Sequence, residues 1–252
     1  MMEEIARAAE LIRLSKKSVV FSGAGISTPS GIPDFRSEHT GLWTNNDPMQ
    51  VASLTFFMSS PRKFYEWFKP LAIKIKEAKP NTAHCCVSNL EQKGYIKAVI
   101  TQNIDGLHQQ AGSKDVAELH GSLTQMICLS CQTQEPISSY MDDFINSNIL
   151  PCCSRCGSVL KPDITLYEEP LPLNIWLQAE SLSRNADLML IIGSSLEVYP
   201  ANQLPIFTLE TGGRLIIINF TPTSLDPKAD VILHGDAAEI LPQLLALIPL
   251  KK

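Results

Sequence analysis

Six short strand-like runs, Ser18–Phe21, Ile96–Ile100, Val116–Leu119, Asp187–Ile192, Leu215–Ile218 and Val231–Leu233, set the tightest limit on how this chain can fold. Several are apolar at almost every position, where a strand with one wet face would alternate, so they suit parallel strands covered on both faces. Helical patterns lie between them. Ile5, Ala8, Ala9 and Ile12 mark one face of a helix over 3–15, and further helices are expected near 105–111, 173–184 and 200–210. Strands alternating with helices predict an α/β fold around a parallel sheet, with ligand sites beyond the carboxyl ends of the strands. A last helix opens on Asp236 and Glu239 in capping-box spacing and carries Leu241, Leu244, Leu245 and Ile248 as its apolar stripe. Pro242 falls inside it and is expected to break or kink it after the first turn.

Two segments interrupt the alternation. The first, about 34–90, is rich in aromatics (Trp43, Phe56, Phe57, Phe64, Tyr65, Trp67 and Phe68) and suggests a helical excursion or lid. The second, about 121–169, holds five of the 7 cysteines. Cys128-Leu-Ser-Cys131 and Cys153-Ser-Arg-Cys156 are two C-x-x-C pairs, and each can form a knuckle that aims two thiolates at one tetrahedral Zn²⁺. Cys152 beside Cys153 is a competing ligand; Cys153 is preferred because two residues then separate both pairs. Four cysteines close the coordination shell, so such a zinc is structural and zinc-hydrolase chemistry is disfavoured. Cys85 and Cys86, in an expected helix after His84, read as core residues rather than ligands.

Composition narrows the class further. An apolar fraction of 44% and a charged fraction of 19% over 252 residues are those of a globular protein. The net charge of −5 offers no footprint for DNA or RNA. No apolar run approaches the ~20 residues that cross a bilayer, and the Met-Met-Glu-Glu start is unlike a secretory signal. A cytoplasmic protein without nucleic-acid or membrane partners is expected.

The candidate site residues cluster at strand ends. Ser22-Gly23-Ala24-Gly25-Ile26-Ser27 follows the first strand, where glycines let a backbone approach a pyrophosphate at a helix N-terminus. It lacks the full G-x-G-x-x-G pattern, so a plain tight turn stays open. Gly193-Ser194-Ser195 is a second such turn, and two of them suit a dinucleotide lying across a switch point. Gly31-Ile-Pro-Asp-Phe-Arg36 sets an acid, an aromatic and a guanidinium side by side, as a surface salt bridge in a turn or as part of a site. Thr101-Gln-Asn-Ile-Asp105 puts Asn103 and Asp105 past a buried strand. His120-Gly121 closes another, with an imidazole that is either structural or a base.

In this order, and together with Leu107-His108, Gly193-Ser-Ser-Leu-Glu-Val-Tyr-Pro200, Asn219 and Gly235-Asp-Ala237, these segments resemble the sirtuin family over nearly the whole chain. The resemblance implies a Rossmann-like NAD-binding domain (1–35, 91–120 and 170–252), a helical insertion (36–90) and a four-cysteine zinc module that begins the peptide-binding loop (121–169). It implies an NAD-dependent protein-lysine deacylase that consumes NAD⁺ as co-substrate and holds one structural Zn²⁺, with acyl-lysine proteins or peptides as partners and a monomer favoured. Ala24, Ile32, Asp34, Phe35, Gln102, Asn103 and Asp105 match positions shaping the nicotinamide and ribose pocket. Gly23, Ser27 and Arg36 match positions around the phosphates and adjoining ribose. Gly193, Ser194, Asn219, Asp236 and Ala237 match the adenosine side. His120 becomes the expected base, with Asn103 and Asp105 as catalytic companions, and Cys128, Cys131, Cys153 and Cys156 the zinc ligands. Thr165 and Tyr167, opposite Glu197, Val198 and Tyr199, are expected to pair with the substrate peptide.

The chain departs from the family where the peptide should dock. Relatives carry Arg-Pro and then Phe-Gly-Glu, whereas this chain has Lys161-Pro162 and Tyr167-Glu168-Glu169, and Glu168 in place of Gly removes freedom to adopt φ > 0. Phe68 and Leu71 stand where relatives acting on acidic acyl groups carry Tyr and Arg, which predicts acetyl or longer apolar acyl groups. A mono-ADP-ribosyltransferase using the same cleft, or a non-catalytic NAD-binding zinc module, are the alternatives.

Overall fold

The computed structural model describes residues 1–34 and 47–249. Nine strands are present among them: β1 (Ser18–Ser22), β2 (Ile96–Thr101), β3 (Val116–Glu118), β4 (Gly121–Ile127), β5 (Gln134–Pro136), β6 (Lys161–Ile164), β7 (Leu188–Ile192), β8 (Arg214–Asn219) and β9 (Val231–His234). The helices are α1 (Met2–Leu14), α2 (Pro48–Val51), α3 (Leu54–Ser59), α4 (Pro61–Glu77), α5 (Thr82–Gln92), α6 (Leu107–Gln110), α7 (Met141–Ser147), α8 (Leu173–Asn185), α9 (Gln203–Glu210) and α10 (Ala237–Ala246). All six expected strands form, and they pair in parallel in the order β3-β2-β1-β7-β8-β9. β1 and β7 are buried at every position, which is why they read as unbroken apolar runs.

Both faces of the sheet are covered. On one, α1, α5 and α10 bury Ile5, Ile12, Val87, Leu90, Leu241 and Leu244 against β1, β2, β7 and β8. On the other, α8 and α9 pack Ala179 and Leu204 against Val19, Phe21, Ile191 and Ile217. The chain walks outward from β1 to β3, then returns to lay β7 on the free side of β1 and walks the other way. That reversal opens a crevice beyond the carboxyl ends of β1 and β7.

Pro242 does not break α10, which continues to Ala246. A proline there leaves the carbonyl of Ala238, one turn back, without its helical donor. The Thr82 hydroxyl of α5 donates to it at 2.8 Å instead. Long-range packing thus overrides a local breaker.

The second lobe pairs a three-stranded antiparallel sheet, β5-β4-β6, with α2–α4 and α7. Its single core joins Phe57, Phe64, Tyr65 and Phe68 to Met126, Phe144, Leu160 and the thiols Cys128 and Cys153. Phe64 meets Phe57 and Tyr65 edge-on, and the Tyr65 hydroxyl donates to Leu160 O at 2.7 Å. The helical segment expected over 36–90 therefore divides: α2–α4 belong to this lobe, whereas α5 packs on the parallel sheet. Cys86 is core as expected, but Cys85 is exposed. Among the described residues no helix is long and apolar enough to cross a membrane.

Candidate active site

The floor of the crevice is built by contact between two turns. Gly23 N donates to Ile192 O (3.1 Å) and Gly25 N to Gly193 O (2.9 Å). A methyl on Gly25 would lie 2.8 Å from Gly193 Cα, and one on Gly193, at φ +61°, would lie 2.3 Å from Ile26 N. Glycine at both positions lets the backbones touch. The turn after β1 then runs into single 3-10 turns at Ala24–Ile26 and Thr28–Ser30, so of the two readings left open there the tight turn forms and the helix N-terminus does not. The backbone is already committed to Gly193.

Over this floor lies a buried polar chain. Asn103 Nδ2 donates to Gly23 O (3.2 Å) and to Ser27 Oγ (3.1 Å), and Ser27 donates to Asp105 Oδ2 (2.7 Å). The other Asp105 oxygen accepts from Leu107 N (2.9 Å). Burial raises the Asp105 pKa, while the bonds from Leu107 N and Ser27 pull it down. Ser27, matched in sequence to the phosphate region, is thus fully buried beneath Asn103 and Asp105. Behind it His84 Nδ1 accepts from Asn81 N, which leaves Nε2–H to face Ser27 Oγ at 3.4 Å. His108 Nε2 donates to Ser22 Oγ (2.9 Å), whose own proton goes to Thr101 Oγ1 (2.9 Å). Burial keeps both rings neutral, with pKa values lowered to about 4 for His84 and about 3 for His108. Sequence reading missed His84: its only signal was the Asn81-Thr-Ala-His84 cap spacing, with His where a capping box has Glu or Gln.

His120 sits at the end of β3 with Nδ1 2.9 Å from Gln102 O. A carbonyl can only accept, so Nδ1 carries the ring proton and Nε2 holds the lone pair. Burial lowers the His120 pKa, partly offset by the Gln102 carbonyl. Gln102 is held in turn, its amide donating to Ser194 Oγ at 2.9 Å. Ala24, Ser27, Ile32, Asn103, Asp105 and His120 all line one cavity of about 630 Å³, whose far wall is Trp67, Phe68, Leu71 and Ile75 of α4. Among the described residues no Lys or Arg lines it.

Thr165, Tyr167, Val198 and Tyr199 line the same cavity. The segment 165–169 follows β6, which ends at Ile164, and lies outside the small sheet. Instead Tyr167 bridges Ser53, with Tyr167 N donating to Ala52 O and Leu54 N to Tyr167 O, each at 3.0 Å. Glu168 occupies φ +75° despite its side chain. The cost of that conformation did not exclude it, as its carboxylate accepts from Thr55 N at 2.8 Å. Lys161 is buried and donates to Ile164 O (2.6 Å) while pairing with Glu169 at 3.0 Å, which shapes the loop from within.

The remaining positions are less convergent. Asn219 Nδ2 is taken by Thr221 O (2.7 Å), Asp236 caps α10 through Ala238 N (2.7 Å), and Ala237 is buried. Glu197 lies in the loop after β7, and Asp34 is the last residue described before Asp47. Phe35, Arg36 and Trp43 lie outside the described residues.

The four paired thiols converge at the tip of the small lobe. All four Sγ atoms lie within 4.8 Å of one another, with Cys128–Cys156 at 3.4 Å and Cys131–Cys153 at 3.6 Å. Tetrahedral ZnS₄ with Zn–S bonds of ~2.3 Å has edges of about 3.8 Å, so the donor set and its size fit Zn²⁺. Cys153 is buried in the cluster and Cys152 is exposed outside it, which resolves the choice between neighbours.

A parallel sheet with its crevice at the switch point, facing a lobe held by four thiolates across a single cavity, defines a nucleotide-binding α/β protein with a structural zinc module. The chain belongs to the Sir2 family, whose model matches residues 23–200. It is 46% identical over 245 residues to NAD-dependent protein deacylase 2 of Archaeoglobus fulgidus, covering 97% of this chain and 96% of the relative. A structure described under the mechanism and regulation of Sir2 enzymes superposes with a TM-score of 0.90 at 44% identity, covering 98% of both chains. A Sir2 variant bound to deacetylated peptide and 3′-O-acetyl ADP ribose gives 0.91 at 39% identity, covering 96% of this chain and 98% of that one.

Proposed function

We propose that this chain is an NAD-dependent protein-lysine deacylase that moves the acyl group from lysine to ADP-ribose and releases nicotinamide and O-acyl-ADP-ribose. One observation carries the reading: His120 presents a lone-pair Nε2 to the cavity that also receives Asn103 and Asp105. Cleaving the bond between nicotinamide and ribose gives C1′ oxocarbenium character, which a weakly nucleophilic acyl oxygen captures only when held close and in line. Asn103 and Asp105, fixed by Ser27 and Leu107 N, are pre-organised to hold nicotinamide and ribose there. His120 then accepts a ribose hydroxyl proton so that the sugar oxygen attacks the acyl carbon; the lysine amine leaves with a proton, and water adds to that carbon so that its bond to the C1′ oxygen opens. Asp34, Phe35 and Ile32 are assigned to the nicotinamide end, Arg36 to the phosphates, and Gly193, Ser194, Asn219, Asp236 and Ala237 to the adenosine side. Residues 1–34, 82–120 and 170–249 form the nucleotide domain in this reading, and the zinc module with α2–α4 forms the second wall. Zn²⁺, held by Cys128, Cys131, Cys153 and Cys156, keeps that wall folded. The acidic balance supports action on protein rather than nucleic acid, and a cytoplasmic monomer is part of the same reading.

The test is incubation of an acetyl-lysine peptide with and without NAD⁺, following nicotinamide and acetylated sugar nucleotide together. Equal amounts of both, only with NAD⁺, are expected; a stable ADP-ribose adduct with the acetyl group still on lysine would establish ADP-ribosyl transfer instead. Because the distal wall is Phe68, Leu71 and Ile75 without a described cation, succinyl-lysine should react with kcat/KM at least ~10-fold below acetyl-lysine, the loss of one charge-assisted contact. Comparable values overturn that assignment.

The pH dependence has a defined sign. His120 acts as base only when neutral, and burial shifts its pKa below the ordinary value of 6.5. The neutral form therefore persists under mild acid, and the acid limb of kcat/KM should have its midpoint below pH 6.5. A midpoint at or above that value contradicts the buried setting of the ring.

A further inference from the structure

The departure at Glu168 has a structural counterpart. Residues 166–169 line the cavity and are strapped to Ala52–Thr55, whose Ala52 lines it too, by three bonds in succession. Two are main-chain bonds, Tyr167 N to Ala52 O and Leu54 N to Tyr167 O. The third is the Glu168 carboxylate on Thr55 N, joining positions 113 apart in sequence. A left-handed φ is one that L side chains rarely adopt, and glycine would meet it without cost. The next residue, Glu169, serves a different end, accepting from Leu166 N (2.8 Å) and pairing with Lys161 inside the loop. Adjacent glutamates thus hold one short segment from two sides.

We propose that Glu168 is a positioning residue that latches the peptide-docking segment to the helical part of the small lobe, so that the edge offered to an acyl-lysine peptide is preset before substrate arrives. The inference rests on the deacylase reading. Glu168 lies at the rim of the cavity, away from the buried Asn103, Asp105 and Ser27 chain. The interaction is charge-assisted, and the bond from Thr55 holds the Glu168 pKa below the usual carboxylate value. A preset edge lowers the ordering cost that the peptide must otherwise meet on binding. The consequence falls on peptide affinity rather than on the chemical step.

Three variants separate a latch from a merely tolerated residue. E168G removes both the carboxylate and the conformational cost, E168A removes the carboxylate alone, and E168Q keeps an oxygen that can accept from Thr55 N. A latch predicts that E168G and E168A both raise KM for an acetyl-lysine peptide by about tenfold, the equivalent of one charge-assisted bond. Their kcat and KM for NAD⁺ should stay within about twofold of the wild type, and E168Q should recover most of the loss. A residue that is only tolerated predicts the reverse order, with E168G equal to or better than the wild type. Hydrogen exchange of the Thr55 amide gives a readout independent of activity: protection should fall in E168A and E168G and persist in E168Q. Unchanged peptide KM in E168G, or unchanged Thr55 protection, overturns the latch. Absence of NAD-dependent deacylation in the wild-type protein would instead overturn the reading on which it rests, while leaving the exchange result interpretable.

Discussion

Replacing His120 with Asn is expected to cut acyl transfer by about 10²- to 10⁴-fold, the range over which a positioned general base contributes, while NAD⁺ binding stays within about twofold. Asparagine suits this test because its amide can still donate to Gln102 O, which accepts from His120 Nδ1 in the native protein at 2.9 Å. The contact that orients the ring is thereby kept and the lone pair of Nε2 is removed. Stopped turnover with intact calorimetric NAD⁺ binding and an unchanged melting temperature places the loss on proton transfer. Retention of more than about a tenth of wild-type kcat would remove His120 from the role assigned to it, since the described cavity lining includes no other imidazole.

Removing zinc should have the other large effect, and it should reach well beyond the four sulfurs. Cys128 and Cys153 are part of the same apolar core as Phe64, Tyr65, Phe68, Phe144 and Leu160. A structural Cys₄ zinc is worth on the order of 10 kcal/mol or more in folding, comparable with the ~5–15 kcal/mol that holds a whole domain together. Cys131→Ser, or prolonged chelation, is therefore expected to release one equivalent of metal and unfold β4–β6 together with α2–α4. Deacylation should fall at least ~100-fold as Phe68 and Leu71 leave the cavity wall, a loss of positioning rather than chemistry. The parallel sheet has its own cores on both faces, so amides of β1, β7 and β8 should keep their exchange protection. Full activity and an unaltered melting curve after zinc is removed would show that the thiols hold nothing essential.

Much of the α/β frame is legible because burial on both faces leaves β7 and the interiors of β1 and β8 without a polar position, and uniform apolar runs of that length have few other uses. The zinc module was legible for a similar reason, since two paired cysteine knuckles form a complete ligand set. The rest was of a different kind. Pro242 by its local effect reads as a breaker, whereas the Thr82 hydroxyl, 156 positions from Ala238, takes up the Ala238 carbonyl that the proline leaves free. The turn after β1 reads equally as a helix start or a plain tight turn, and the tight turn forms because its backbone is pinned against Gly193. Ser27, which lines the cavity, also joins Asn103 to Asp105, a bond that its motif does not announce.

Hydrophobic periodicity, cysteine spacing and ordered motifs, all properties that a linear chain displays, determined the class of fold, the metal and the reaction. Tertiary structure alone decided how the site is held: His84 behind Ser27, Gln102 O orienting His120, and Glu168 reaching Thr55. Each of those contacts joins residues far apart in sequence, and a hydrogen bond depends on where folding brings two atoms, which no local pattern of residue types encodes.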